Sequence, residues 1–172
     1  SNIVGESIAR LIESTGAEVR RVNYQGDVGL HVAKALWGMQ QQIANGVWQM
    51  AELDNKSLQE KAKFLGEAYA LGASAYEEDG TSKEEIIEIN KKVYAKDSLI
   101  MDLYEKGKKW SLDYFDSIYQ RLGTKFTKLY FESEAGPIGL KIVKENILGL
   151  PAGRQVFKES DGAIIFPGEE YG

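Results

Sequence analysis

Ten residues near the start of the chain, Arg20-Arg21-Val22-Asn23-Tyr24-Gln25-Gly26-Asp27-Val28-Gly29, combine types that could handle a ligand. They read as a strand whose carboxyl end opens into a loop with two glycines and a carboxylate, followed by a helix start. In open α/β sheets ligands sit at that edge, because glycines allow close backbone approach and helix N-terminal amides attract anions. An ordinary strand-to-helix turn would need Gly26 and Gly29 as well, for backbone reasons alone. Spacing does not separate the two. Asp27 could orient a substrate, steady a neighbouring loop, or cap the following helix through its backbone amides. His31, the one histidine, falls in the first turn of that helix, beside the loop. It could touch a nucleotide there or be a partly exposed helix-start residue. The densest basic run, Lys106-Gly107-Lys108-Lys109, lies within a predicted helix and reads as a solvated face. The chain has no cysteine, which excludes disulfide scaffolds, thiolate metal sites and cysteine nucleophiles.

The elements that must position these residues follow from periodicity. Val4, Ile8, Leu11 and Ile12 share a helical face, with Gly16 placed to end that helix. Ala17 to Asn23 reads as a short strand. A second helix carries Val32, Leu36, Met39, Ile43 and Val47 at spacings of three and four. Near residue 52 the pattern becomes all-helical. Ser57 with Glu60 and Thr81 with Glu84 read as capping boxes, and Leu58, Ala62, Leu65 and Tyr69 form one stripe. After a turn at Glu78-Asp79-Gly80, Ile86, Ile87, Asn90, Val93 and Tyr94 form another. A long helix then runs from Ser98 to Leu122, with Leu103, Trp110, Tyr114, Ile118 and Leu122 inward and Gly123 as its stop. Mixed structure returns with a strand at Lys128 to Glu132 and a short helix beginning at Pro137. A hairpin pairs Gln155 to Glu159 with Ala163 to Phe166 around Ser160-Asp161-Gly162. Trp37, Trp48 and Trp110 read as core residues rather than base-stacking platforms.

The predicted fold class is α/β: part of a parallel, nucleotide-binding sheet interrupted by an all-helical insertion. The expected divisions are residues 1–51, an insertion over 52–122, and a return to the first domain over 123–172. The net charge of −5 is concentrated in the middle. Residues 51–102 carry twelve acids against seven bases, whereas the flanking segments are balanced. Nucleic-acid binding needs clustered Lys and Arg, so this chain carries no continuous nucleic-acid footprint. No run approaches the roughly 18 apolar residues of a membrane helix, and Ser1-Asn2-Ile3-Val4-Gly5 has no secretory-signal pattern. Ser1 and Asn2 could be native or a cloning remnant.

The stretch from Gly5 to Trp37 closely resembles arginyl-tRNA synthetases in the segment that follows their HxGH motif. The residues that carry the resemblance are Gly5, Ala9, Arg10, Leu11, Glu13, Gly16, Val19, Arg21, Val22, Asn23, Gly26, Asp27 and Gly29. Val28 stands where many members have Trp, and Leu30-His31 where many have Thr-Gln. Phe131-Glu132-Ser133 and Asp161-Gly162-Ala163-Ile164-Ile165-Phe166 are similar to the stretch before a late active-site strand of the same family. The resemblance implies a Rossmann-like class I catalytic domain. It implies a parent enzyme that joins arginine to ATP, releasing pyrophosphate, and then passes the arginyl group to tRNA. Members generally need bound tRNA even for the first step. ATP and Mg2+ are implied for the parent; none is expected to be held by this piece, and no resident metal. The residues implied to lie near substrate or nucleotide are Asn23, Gly26, Asp27, Gly29 and His31, with no catalytic residue in the piece itself. The HxGH pair and the KMSKS-type loop are expected outside it, as is the arginine pocket, so the piece alone is expected to be inactive. A cytoplasmic location is expected, as is self-association through the cut edge at residues 1–37.

Two other classes compete. Phe64-Leu65-Gly66-Glu67-Ala68-Tyr69-Ala70 is reminiscent of helical-repeat hairpins, so a non-catalytic interaction module is the alternative, although nothing recurs at a spacing of about 34 residues. A nucleotide-binding oxidoreductase ranks lower, since no GxGxxG follows the strand at Val19.

Overall fold

The computed structural model of the protein describes residues 2–147 and 156–170. Helix α1 spans Asn2–Glu13, strand β1 Val22–Gln25 and helix α2 Leu30–Ala44. A one-turn helix α3, Met50–Leu53, leads into α4 (Leu58–Glu78), α5 (Gly80–Ala95) and α6 (Ser98–Leu122). Strand β2 (Lys128–Phe131), helix α7 (Glu132–Glu145), and strands β3 (Lys158–Ser160) and β4 (Ala163–Ile165) follow. The structure is mostly helical, with β1 and β2 forming a two-stranded parallel sheet.

Local signals set most helix ends. Ser57 accepts from the Glu60 amide while the Glu60 carboxylate takes the Ser57 amide, a complete capping box for α4. Gly123 stops α6 in the left-handed region at φ 68°. Other boundaries differ from expectation. Asp79, not Thr81, caps α5, because its carboxylate, two residues earlier, accepts from the Thr81 and Ser82 amides. Helix α2 ends at Ala44, leaving Val47 exposed beyond Gly46. Helix α7 begins at Glu132 rather than Pro137, so the proline lies inside it.

The strand expected over Ala17–Asn23 forms instead at Val22–Gln25. A ladder is as long as its partner: β2 pairs Val22 with Lys128 and Gln25 with Phe131, and the Thr127 amide to the Arg21 carbonyl is the last link upstream. The hairpin forms at β3 and β4 around Asp161-Gly162. Its expected first residue, Gln155, lies outside the described residues, as does Ser1.

The core is helical. Ala33, Leu36, Trp37 and Met39 of α2 pack with Phe64 and Ala68 of α4, Ile86 and Val93 of α5, and Ile100, Tyr104 and Trp110 of α6. Phe64 is fully buried, with the rings of Trp48 and Trp110 edge-on to it at 5.6 and 6.2 Å. All three tryptophans thus serve the core. The α2–α4 crossing is close enough to exclude side chains: a Cβ on Gly38 would collide with the Ala68 carbonyl, and one on Gly72 with the Lys34 carbonyl. Helices α4 to α6 share one core with α2. By contrast the α1 stripe is uncovered; Val4 and Leu11 are 62% and 69% exposed.

The backbone contact yields a test. Gly38→Ala should lower unfolding free energy by about 2 kcal/mol, despite about 1 kcal/mol of helix propensity gained. Gly66→Ala, in the same layer with open space around it, should be neutral or stabilising by up to about 1 kcal/mol. Denaturant midpoints for the two variants decide it; equal midpoints would contradict the packing.

Candidate functional site

The carboxyl ends of β1 and β2 open on a cleft of about 430 Å³ between α2, α4 and α6. Its lining is mainly apolar and aromatic, including Tyr69, Tyr104, Phe115 and Phe131, with Gly26, Asp27, His31 and Lys108 along the strand edge. The two strands alternate. Asn23, Gln25, Leu129 and Phe131 turn to the partly covered face, while Val22, Tyr24, Lys128 and Tyr130 lie on the exposed one.

Asp27 follows β1 with its side chain 6% exposed. Its carboxylate accepts from four donors: the Ser133 amide at 2.9 Å, Ser133 Oγ at 2.7 Å, Lys108 Nζ at 2.7 Å and Tyr104 Oη at 3.1 Å. Burial alone would raise its pKa. The hydrogen bonds from Lys108 and Ser133 outweigh burial and hold it at about 2, below the ordinary 3.8. In turn, the bond to Asp27 raises Lys108 against the opposing effect of its own burial. Burial and the Asp27 charge raise Tyr104. The helix that Asp27 caps is α7, since Ser133 is in its first turn; α2 has Gly29 as its N-cap residue and no side-chain cap. Gly29 has φ 104° and ψ −179°, a conformation open essentially only to glycine.

His31 is exposed and folds back over the loop, its Nε2 3.1 Å from the Gly26 carbonyl. That geometry requires the proton on Nε2, because a carbonyl can only accept. Asn23 donates its side-chain amide to Tyr119 Oη at 3.0 Å, with Gln25 at 3.4 Å from the same oxygen. The structure thus brings Gly26, Asp27 and His31 to the cleft, and places Asn23 and Gly29 in its supports.

A second charged cluster runs along α1. Arg21 bridges Glu6 at 2.9 Å and Glu13 at 2.6 Å, while Arg10 binds Glu6 at 2.7 Å. Arg10 also donates to the Leu122 and Gly123 carbonyls, satisfying the end of α6. Hydrogen bonds from Arg21 and then Arg10 hold Glu6 at about 2, against the opposing effect of burial.

A family model described as "tRNA synthetases class I (R), catalytic domain" matches residues 1–172. The chain belongs to that family. It is similar to the arginine–tRNA ligases of Borreliella afzelii, 28% identical over 95% of this chain and 26% of the relative, and of Porphyromonas gingivalis strain W83, 28% over 95% and 29%. The arginine–tRNA ligase of Treponema denticola is 30% identical over 95% of this chain and 26% of its own length. The chain thus spans about a quarter of the curated relatives it matches.

Several residues that carry the synthetase resemblance (Arg10, Glu13, Arg21, Asn23 and Asp27) make tertiary ties in this structure. Reading the basic run as a solvated face missed Lys108. Lys106 pairs with Asp54 at a half-exposed position and Lys109 with Asp113 at an exposed one, but Lys108 turns inward to Asp27. Only its i+4 spacing from Tyr104 could have hinted at this, since both then lie on the buried stripe.

The lowered Asp27 pKa implies an acid dependence. Its contribution is complete above about pH 4 and fades as pH falls toward 2. The stability gap between wild type and Asp27→Asn should therefore be largest near neutrality and shrink in that window. Thermal unfolding across the pH series checks it, and a gap independent of pH would contradict the charged network.

Proposed function

We propose that this chain forms part of the catalytic body of an arginine–tRNA ligase, which activates arginine with ATP and transfers it to tRNA. The match of the whole chain to the arginine-type catalytic-domain family is the observation that carries this reading. On it, β1 and β2 belong to a larger Rossmann-like nucleotide-binding sheet. Residues 1–51 and 123–172 then belong to the catalytic domain, and 52–122 to a helical insertion. The cleft at the strands' carboxyl ends is where such sheets take ligands, which supports Gly26, Asp27 and His31 as substrate-proximal, with Asn23 and Gly29 holding the edge in shape. The parent's substrates are then arginine, ATP and tRNA, and its setting cytoplasmic. No helix among the described residues is long and apolar enough to cross a membrane.

The residues here do not fit a triphosphate or its magnesium. The cation in the cleft lining, Lys108, is already matched by Asp27, and the rest is largely apolar. Among the described residues no cluster of His, Asp and Glu could hold a metal. Phosphate and metal chemistry is therefore assigned to other parts of the parent, and this cleft to a flat or apolar portion of a substrate. Such reactions depend chiefly on stabilising the charge that develops in the transition state, so the piece alone lacks activity. A longer protein containing this chain should catalyse arginine- and tRNA-dependent ATP–pyrophosphate exchange, whereas the 172-residue chain should give none above a buffer control. Exchange dependent on another amino acid would overturn the reading.

The uncovered side of the sheet supports self-association of the isolated chain. Parallel sheets are normally covered on both faces, yet Val22 and Tyr24 are 54% and 59% exposed, and the apolar stripe of α1 is bare as well. Light scattering over a concentration series should show rising mass, with hydrogen exchange slowing in residues 1–37. A strict monomer at all concentrations would refute it.

A further inference from the structure

We propose that Tyr104 and Lys108 of α6 are positioning residues that act through Asp27 to hold the Gly26–His31 loop and the first turn of α7 in one geometry at the cleft. The inference rests on the ligase reading for its link to the reaction, and on geometry for the tie itself.

Helix α7 cannot cap itself. Its N-cap residue is Phe131, which has no side-chain acceptor, so the Ser133 amide depends on the carboxylate of Asp27. That carboxylate is fixed in turn by donors from α6, Lys108 Nζ at 2.7 Å and Tyr104 Oη at 3.1 Å, placed one helical turn apart on one face. Lys108 Nζ also lies 4.3 Å from the Phe131 ring centroid, so a single ammonium touches the loop after β1 and the end of β2. Gly26 adjoins Asp27 and receives His31, while the Glu132 carboxylate of α7 comes up against Gly26. Moving the Asp27 carboxylate therefore moves both walls of the strand edge. The rest of α6 is fastened independently, by Tyr119 to Asn23 and by Arg10 to the Leu122 and Gly123 carbonyls. Loss of Lys108 should loosen the cleft end without releasing the helix.

Two readouts test this. In the 172-residue chain, Lys108→Met should speed amide exchange at Ser133 and through residues 27–32 by about tenfold, and Tyr104→Phe by about threefold. Lys108→Arg should return exchange to within about threefold of wild type, and the Phe64 and Ile86 amides should stay unchanged in every variant. In the longer ligase, Lys108→Met should lower kcat for aminoacylation by about tenfold while KM for arginine and ATP stays within about threefold, with recovery in Lys108→Arg. Unchanged Ser133 exchange in Lys108→Met, or equal acceleration at Phe64, would overturn the tie. A response in exchange with none in kcat would overturn its role in the reaction. A wild-type longer protein without ligase activity would sink the functional reading, and the exchange series would still decide the tie.

Discussion

A carboxylate placed where water hardly reaches must be matched by donors, because an uncompensated buried charge costs several kcal/mol. Asp27 meets that demand from two directions. Lys108 and Tyr104 come from α6, and Ser133 from the first turn of α7. The demand makes the helical layer, the loop after β1 and the helix after β2 converge on one point. It also lets β2 run straight into α7 with no capping residue at the junction, since the cap arrives from elsewhere in the chain.

The second constraint is steric. The bare backbones of Gly38 and Gly72 let α2 and α4 approach until carbonyls occupy the space of side chains. With Met39 and Phe64 fully buried in that layer, the helices form a rigid wall, and the cleft is the gap left between this wall and the strand ends. One sheet face rests on α6; the other, with Val22, Tyr24 and Tyr130, stays open. A helical core thus carries a two-stranded parallel sheet with one bare face, in a chain that matches about a quarter of its relatives' length.

The charged residues of the synthetase-like stretch have architectural partners. Glu6, Arg10, Glu13 and Arg21 lock α1 to the strand and to the end of α6, and Asn23 holds Tyr119. What reaches the cleft is narrower: a glycine, a fully hydrogen-bonded aspartate and a histidine folded over the loop. A stretch of sequence can therefore be characteristic of a family because its side chains tie neighbouring elements together.

The sequence by itself determined what is settled within a turn or two of chain. The Ser57–Glu60 box, the Gly123 stop, the span of α6 and the tight turn at Gly29 all follow from local hydrogen bonds, periodicity and backbone sterics. It also set a glycine-bearing loop at Gly26 and Asp27 after the first strand, and the structure has that loop lining the cleft. Only the tertiary structure decided the rest. The extent of β1 was set by β2, about a hundred residues on, and not by the apolar residues at 17–21. Which helix Asp27 caps, and that Lys108 leaves its basic run to meet it, depended on partners 106 and 81 residues away. The exposure of α1's apolar stripe belongs to the same class, because periodicity tells which face wants cover and says nothing of what lies against it. Local propensity is blind to such partners; they exist once the helical core has closed and brought distant donors to one carboxylate.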